Sequence, residues 1–157
     1  MVGIAKAVRC LLVAGVLTTA SACITLPAYD AKTDELLTAL QSDTDQLIGQ
    51  LQGAYDITTA PNKACAYSAN QPSVDQLNVS LSVLGTRIDA LADNRFSHAA
   101  FAHLSDTYKA FFLAWKEAEA NRADHCILPV LLATDQQALD SAVGSLLRLE
   151  LAKKGGF

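Results

Sequence analysis

The amino-acid sequence predicts an all-α protein, an up-down-up-down four-helix bundle with one disulfide joining two loops at the same end. Apolar residues recur three or four positions apart in four segments of residues 30–157, and no Val/Ile/Thr-rich alternating runs compete with them. The connections between the segments are short, as in such bundles. A composition of 51% hydrophobic and 18% charged residues over 157 positions is that of one globular domain.

The first predicted helix runs from about Asp30 to Ile57, with acidic residues near its start that favour the helix macrodipole. Thr44 fills a seam position that the spacing of the apolar residues leaves open. Those apolar residues are Leu36, Leu40, Leu47, Leu51 and Ala54. The loop that follows, at 60–72, carries two prolines and Cys65, as a connection should.

A capping box predicts the start of the second helix. The Ser73 side chain is placed to cap the third backbone amide, while Gln76 reaches back. One continuous apolar seam follows at a 4-3-4-3 spacing, formed by Leu77, Leu81, Leu84, Ile88 and Leu91. Asp93 and Asn94 then interrupt the seam and predict a tight turn.

The third helix is predicted from about Phe96 to Asp124, and the fourth begins near Pro129, whose missing N–H suits a first helical turn. The third seam is formed by Phe101, Leu104, Tyr108, Phe111 and Trp115. The fourth seam is formed by Leu132, Leu139, Ala142, Leu146 and Leu149. Lys153 and Lys154, followed by two glycines, are typical of a helix C-terminus.

The first 22 residues have the layout of a secretory signal peptide. Lys6 and Arg9 form a positive start, an apolar run follows at 10–20, and small residues end it. A cytosolic protein with a buried N-terminal helix would have to explain why no acidic residue precedes Asp30. We therefore expect residues 1–22 to be removed.

The stretch Ala20-Ser21-Ala22-Cys23 resembles the lipobox of bacterial lipoproteins. In that family the cysteine is diacylglyceryl-modified and becomes the new N-terminus. The resemblance implies that Cys23 carries three acyl chains, such as palmitate, which give effectively permanent membrane attachment. The family usually has Leu where this chain has Ala20. Ala20-x-Ala22 also satisfies ordinary signal peptidase, which would release a soluble protein beginning at Cys23.

The cysteine count favours the lipoprotein over soluble export. Soluble export would leave Cys23, Cys65 and Cys126, an odd number and therefore one free thiol in an oxidising compartment. Lipidation uses Cys23 and leaves one pair. The first and third connections of an up-down-up-down bundle lie at the same end, so Cys65 and Cys126 are placed to form a disulfide. That bridge would contribute roughly 4 kcal/mol of stability.

The predicted tether at 23–29 keeps the bundle close to its membrane, because seven extended residues span only about 25 Å. In the lipoprotein family, Asp directly after the cysteine tends to retain the protein at the inner membrane. Ile24 occupies that position here, which favours the outer membrane, with the bundle facing the periplasm.

The charge of the mature chain argues against nucleic acid as a partner. Removal of residues 1–22 takes away two positive charges and no negative ones, which leaves 10 Lys and Arg against 16 Asp and Glu. The resulting net charge of −6 does not attract phosphate backbones, and no run of Lys or Arg forms a local basic patch.

Neither a metal nor a cofactor is expected. His98 and His103 are five positions apart, so their side chains point about 140° apart around a helix and cannot share one ion without outside help. His125 adjoins Cys126, but that cysteine is expected in the disulfide, which leaves His125 near the C-terminal end of its helix. The chain has no Cys-x-x-Cys-His and no Glu-x-x-His, and Met1 leaves with the signal peptide.

Catalysis is not expected either. The chain contains neither Gly-x-Ser-x-Gly nor Ser-x-x-Lys. Asp135 falls in the apolar seam of the fourth helix, where burial would raise its pKa and make it a conceivable general acid. The simpler interpretation is a carboxylate that is still solvated near the start of the helix.

The apolar face of the third helix is wider than one seam requires, since Phe112 and Leu113 follow Phe111. Tyr108, Phe112, Leu113 and Trp115 are therefore a possible partner or ligand surface, unless they are simply well buried. We expect a lipoprotein that acts by protein–protein interaction, as an adaptor, an envelope-complex subunit or an immunity-type inhibitor. The alternative is a bundle that binds a small ligand or cofactor in a pocket lined by Tyr108, Phe112 and Trp115.

Overall fold

The computed structural model describes residues 28–55, 63–92 and 94–155. It contains four helices that pack against each other, α1 at Ala31–Tyr55, α2 at Gln71–Asp89, α3 at Arg95–Asn121 and α4 at Pro129–Gly155. Two short 3₁₀ helices, Lys63–Cys65 and Ser68–Asn70, lie between α1 and α2. The predicted all-α, up-down-up-down four-helix bundle is confirmed. The predicted signal peptide, Cys23, the end of the first helix at Ile57 and Asp93 lie outside the described residues.

The two ends of the bundle differ in how they are closed. At the tether end, α1 and α3 begin and α2 and α4 end. Arg87 near the end of α2 binds Asp30 just before α1, and the Lys154 ammonium in the last turn of α4 lies 5.2 Å from the Tyr29 ring centroid. The opposite end, the disulfide end, contains the connection between α1 and α2 and the connection between α3 and α4.

The predicted disulfide is confirmed at that end. Cys65 and Cys126, 61 positions apart in sequence, are bonded, and their Cα atoms are 5.3 Å apart. His125 turns the chain toward this bond in the left-handed region, with φ 56°, a conformation in which His is enriched among non-glycine residues. Its Nδ1 atom lies 2.7 Å from the carbonyl oxygen of Glu119, in the last turn of α3.

The seam of α1 begins one position later than the sequence spacing indicated. Leu37 is fully buried, whereas Leu36 is only half-buried. The buried positions run at 3-4-3-4 through Leu37, Leu40, Thr44, Leu47 and Leu51. Thr44 fills the seam as predicted, because its hydroxyl donates to the Leu40 carbonyl at 2.7 Å and pairs with the buried Tyr108 hydroxyl.

The predicted capping box at the start of α2 is wrong. The helix begins at Gln71, so Ser73 lies inside its first turn. Asn70 occupies the N-cap position, but its side-chain amide donates to the carbonyls of Ala64 and Ala66 at 2.7 and 2.8 Å. The second 3₁₀ helix, Ser68–Asn70, runs directly into α2, and the Asn70 amide binds the preceding turn and does not cap the helix. Pro72 needs no cap because it has no N–H.

The predicted end of α3 at Asp124 is three residues too far. The helix ends at Asn121, and Arg122 is extended. The Asn121 side-chain amide donates to the Glu117 carbonyl at 2.8 Å. The predicted start of α4 at Pro129 agrees with the structure.

Lys153 lies in the last turn of α4, as the sequence pattern predicted, but its side chain is buried. Its side chain is 1% exposed, and that of Glu150 one turn earlier is fully buried. The Lys153 ammonium donates to Glu150 Oε1 at 2.7 Å, to Ser97 Oγ at 2.8 Å and to Asn94 Oδ1 at 2.6 Å. Within the part of the chain that the structure describes, Glu150 Oε2 is buried without a hydrogen-bond partner. This ionic cluster ties the end of α4 to the start of α3.

Candidate interaction surface

Three of the four aromatic and aliphatic residues proposed as a partner or ligand surface belong to the core. Tyr108 and Trp115 have no exposed surface, and Phe112 is 7% exposed. Leu113 is 59% exposed, because it lies two positions from both Phe111 and Trp115 and therefore on the opposite side of α3. The four residues do not form one exposed surface, and the wide apolar face of α3 is explained by packing.

The buried aromatic residues are positioned by specific contacts. Phe111 stacks on Trp115 with ring centroids 5.7 Å apart, and Tyr67 meets the same indole edge-on at 5.3 Å. Burial raises the pKa of Tyr108 to about 12, although its hydrogen bond with Thr44 opposes the shift. These side chains fill the bundle interior where the alternative hypothesis placed a ligand pocket.

The histidines are separated in the fold. His98 Nδ1 lies 3.0 Å from Asp89 Oδ1 across the turn between α2 and α3, His103 is exposed, and His125 lies at the disulfide end against Glu119. Among the described residues, no group of three or more His, Cys, Asp or Glu side chains is arranged to hold a metal ion.

Two carboxylates on α4 are partly withdrawn from water. Asp135 is half-buried, and burial raises its pKa. Burial, with a smaller contribution from Asp45, also raises the pKa of Asp140. Both groups favour protonation more than a free aspartate does, which is the property that made Asp135 a candidate general acid. Neither is nine-tenths buried, so each keeps contact with solvent.

The exposed face of α2 differs from that of an ordinary solvated helix. Eleven consecutive residues, 76–86, carry no charge. Val79 and Val83, one turn apart on this face, are 57% and 48% exposed. Ser82 and Thr86 extend the same stripe with small uncharged side chains. Protein interface cores are depleted of charged residues in this way.

Two grooves flank this α2 face. The groove between α2 and α3 has a volume of about 400 Å³, and its walls include Leu81, Gly85, Asp89, Phe101 and Lys109. The groove between α1 and α2 has a volume of about 450 Å³ and is lined mainly by apolar and small groups. Its lining residues are Lys32, Leu36, Ser82, Val83, Thr86, Arg87 and Ala90.

A glycine shapes the first of these grooves. A Cβ atom at Gly85 would lie 2.7 Å from two ring carbons of Phe101, so the absence of a side chain lets the ring rest against the α2 backbone. We define the α2 face as the exposed side chains of Val79, Ser82, Val83 and Thr86, which lie between these two grooves.

The sequence pattern carried a signal for this face that the apolar seams obscured. Val79 and Val83 lie outside the 4-3-4-3 seam of α2, one turn apart, inside the uncharged run. Apolar residues one turn apart that lie outside the seam are the sequence signal for such a face.

No helix within the described residues is both long enough and apolar enough to cross a membrane. No protein-family model, curated protein or solved structure compared with this chain matches it.

Proposed function

We propose that the protein is a lipid-anchored component of the bacterial cell envelope that faces the periplasm and acts by protein–protein contact through the α2 face. The observation that carries the proposal is the exposed pair Val79 and Val83 on a helix face without charges. A mature chain with a net charge of −6 keeps charged residues on its other faces, so this neutral face is a distinct surface.

The lipid anchor in this proposal rests on the resemblance of Ala20-Ser21-Ala22-Cys23 to a lipobox and on the cysteine count. Because Cys65 and Cys126 are bonded to each other, Cys23 is the cysteine left over in a chain that has lost residues 1–22. Acylation at Cys23 gives it a function. The outer membrane is the proposed site, since Ile24 follows Cys23. Adaptor, envelope-complex subunit and immunity-type inhibitor are the roles that fit this arrangement, and no enzymatic activity forms part of the proposal.

Photo-crosslinking in intact cells tests the contact surface. A photoreactive phenylalanine analogue replaces Val83, and the matched control carries it at Val130, which is 69% exposed at the disulfide end of the bundle. We expect an adduct of defined mass from position 83 that is absent from position 130. The adduct should disappear when Val79→Asp is added to the position-83 variant. An equal pattern at both positions would contradict the role of the α2 face.

Intact mass spectrometry of protein purified from membranes tests the anchor independently. The expected mass is that of residues 23–157 plus a lipid moiety, with two thiols exposed only after reduction. A mass equal to that of residues 23–157 without lipid would contradict the anchor and would indicate a soluble periplasmic protein.

A second candidate function is the binding of a small ligand, favoured by the α2–α3 groove beside Phe101. The two functions respond differently to Ser105→Tyr, which would fill this groove from α3 while leaving Val79 and Val83 exposed. Loss of the crosslinked adduct only in Val79 and Val83 variants supports protein contact. Loss of a bound small molecule, seen by native mass spectrometry, only in Ser105→Tyr supports ligand binding.

A further inference from the structure

We propose that the tether end of the bundle is itself a membrane-contact surface, whose exposed apolar and cationic side chains rest on the headgroup region of an anionic phospholipid bilayer. The inference rests on the proposed anchor at Cys23 and deepens it, because it specifies which end of the anchored bundle meets the lipid. It concerns a different surface from the α2 face.

The course of the chain brings this end to the membrane. Tyr29 and Asp30 are fixed against the bundle, since Tyr29 lies under Lys154 and Asp30 is bound by Arg87 through two hydrogen bonds of 2.7 and 2.8 Å. Only the six residues 23–28 then connect the anchor to the bundle, and these span at most about 20 Å. The disulfide end lies farther away by the length of a helix of 25 residues, about 37 Å.

Two apolar side chains are exposed at this end. Phe96 lies in the first turn of α3 and Leu151 near the end of α4, and each is 45% exposed. A cation accompanies the aromatic ring, since the Arg95 guanidinium lies 4.7 Å from the Phe96 ring centroid. An apolar body with a cationic tip is the combination that membrane interfaces select.

The cations at this end are available to lipid phosphates. Four carboxylates here already have partners within the protein. Asp30 and Glu35 are paired with Arg87 and Lys32, Asp34 accepts a hydrogen bond of 2.8 Å from the Tyr29 hydroxyl, and Asp89 lies 3.0 Å from the His98 ring. Arg95 and Lys154 form no ion pair within residues 28–55, 63–92 and 94–155, and each lies over an aromatic ring instead. Basic side chains close to an anionic leaflet are attracted to it over about a Debye length. The short tether keeps Arg95 and Lys154 within that distance of the membrane surface.

The other end offers a matched control surface. Val130 and Leu131, at the start of α4, are 69% and 51% exposed. They are as apolar as Phe96 and Leu151, but the short tether keeps their end of the bundle away from the membrane. A general tendency of exposed apolar residues to enter lipid would therefore affect both ends.

The test uses the full mature protein, purified from membranes with its lipid verified by intact mass and reconstituted into vesicles of phosphatidylethanolamine and phosphatidylglycerol. An environment-sensitive dye is attached to Leu151→Cys in one sample and to Leu131→Cys in the control, and a headgroup spin-labelled lipid serves as quencher. We expect quenching at position 151 to exceed that at position 131 by about twofold or more. Replacing phosphatidylglycerol with phosphatidylcholine, or adding Arg95→Ser and Lys154→Ser, should remove most of the difference.

Equal quenching at both positions in lipidated protein would overturn this inference and leave the anchor standing. Quenching at position 151 that is insensitive to anionic lipid and to the two serine substitutions would overturn the electrostatic part of the contact. A purified protein without lipid at Cys23 would overturn the proposed anchor, and this inference with it.

Discussion

The indole nitrogen of Trp115 donates a hydrogen bond of 2.9 Å to the backbone carbonyl oxygen of Cys65, so the single tryptophan is joined to the disulfide at one end of the bundle. Both residues are buried, and Tyr67 packs against the indole edge-on. A change at the disulfide is therefore expected to reach the tryptophan directly.

Loss of the disulfide should destabilise the protein and change its tryptophan emission. We expect the double substitution Cys65→Ala and Cys126→Ala to lower the free energy of unfolding by roughly 4 kcal/mol, because the unfolded chain regains the freedom of a loop of 61 residues. Chemical denaturation followed by Trp115 fluorescence measures both effects. Tyr67→Leu serves as the control, since it alters the indole environment but keeps the bridge. Unchanged stability in the double variant would contradict the expectation.

The ionic cluster at the tether end should behave as a coupled unit. Lys153→Met alone leaves the Glu150 carboxylate buried without its cation, so we expect a loss of about 3–5 kcal/mol in unfolding free energy. The double variant Lys153→Met with Glu150→Leu replaces both charges with apolar groups of similar size. It should be more stable than Lys153→Met alone, because it leaves no buried charge without a partner. Additive losses in a double-mutant cycle would refute the coupling.

Asp30 should make stability depend on pH in the acid range. The Arg87 guanidinium, together with the Thr33 hydroxyl and amide, holds the pKa of Asp30 well below its usual value. A lowered folded pKa means that the contribution is fully present above the unfolded pKa of about 3.9, and is lost as the pH falls through the folded value.

Asp30→Asn isolates this pH effect, because asparagine caps a helix about as well as aspartate. Wild type should exceed the variant in stability at neutral pH, and the gap should close below about pH 4. Asp30→Ala also removes the cap of α1 and should lose about a further 1 kcal/mol. Thermal unfolding of the three proteins across the acid range gives the comparison. A stability difference between wild type and Asp30→Asn that grows as the pH falls would contradict this prediction.

Two glycine substitutions should have opposite effects. Gly49 is exposed on α1, and no atom lies within 4 Å of the place that an alanine Cβ would occupy, so Gly49→Ala should stabilise the protein by about 0.5–1 kcal/mol. Gly85→Ala should destabilise it by about 1–3 kcal/mol, because the new methyl group displaces the Phe101 ring. Adding Phe101→Leu to Gly85→Ala should recover part of the loss. An equal gain in stability from Gly49→Ala and Gly85→Ala would contradict this prediction and would show that the Phe101 ring moves aside without cost.

Much of the fold followed from local pattern. The apolar spacing placed α2, α3 and α4 within a few residues of their bounds, because helix-forming residues and a seam toward the core act along a single segment. The start of α2 was misplaced because the 3₁₀ helix Ser68–Asn70 continues into it. Serine and glutamine three residues apart supply a possible cap, but the preceding backbone decides whether it forms.

The candidate surface was harder to predict than the helices. Phe112 and Leu113 are neighbours in sequence and both apolar, yet one is in the core and the other in solvent. Their difference comes from the direction in which α3 faces α4 and the rest of the bundle. Val79 and Val83 became a candidate surface only once their exposure was known.

The sequence by itself determined the helical segments, the bonded pair Cys65 and Cys126 and the charge of the chain, since these depend on local spacing, on a count and on the order of the connections. Only the tertiary structure decided that Lys153 is buried against Glu150 and that Tyr29 lies beside Lys154 at the tether end. The partners of Lys153 include Asn94 and Ser97, which are 59 and 56 positions away. Burial and electrostatic pairing depend on distances across the bundle, and these exist only after the helices have packed.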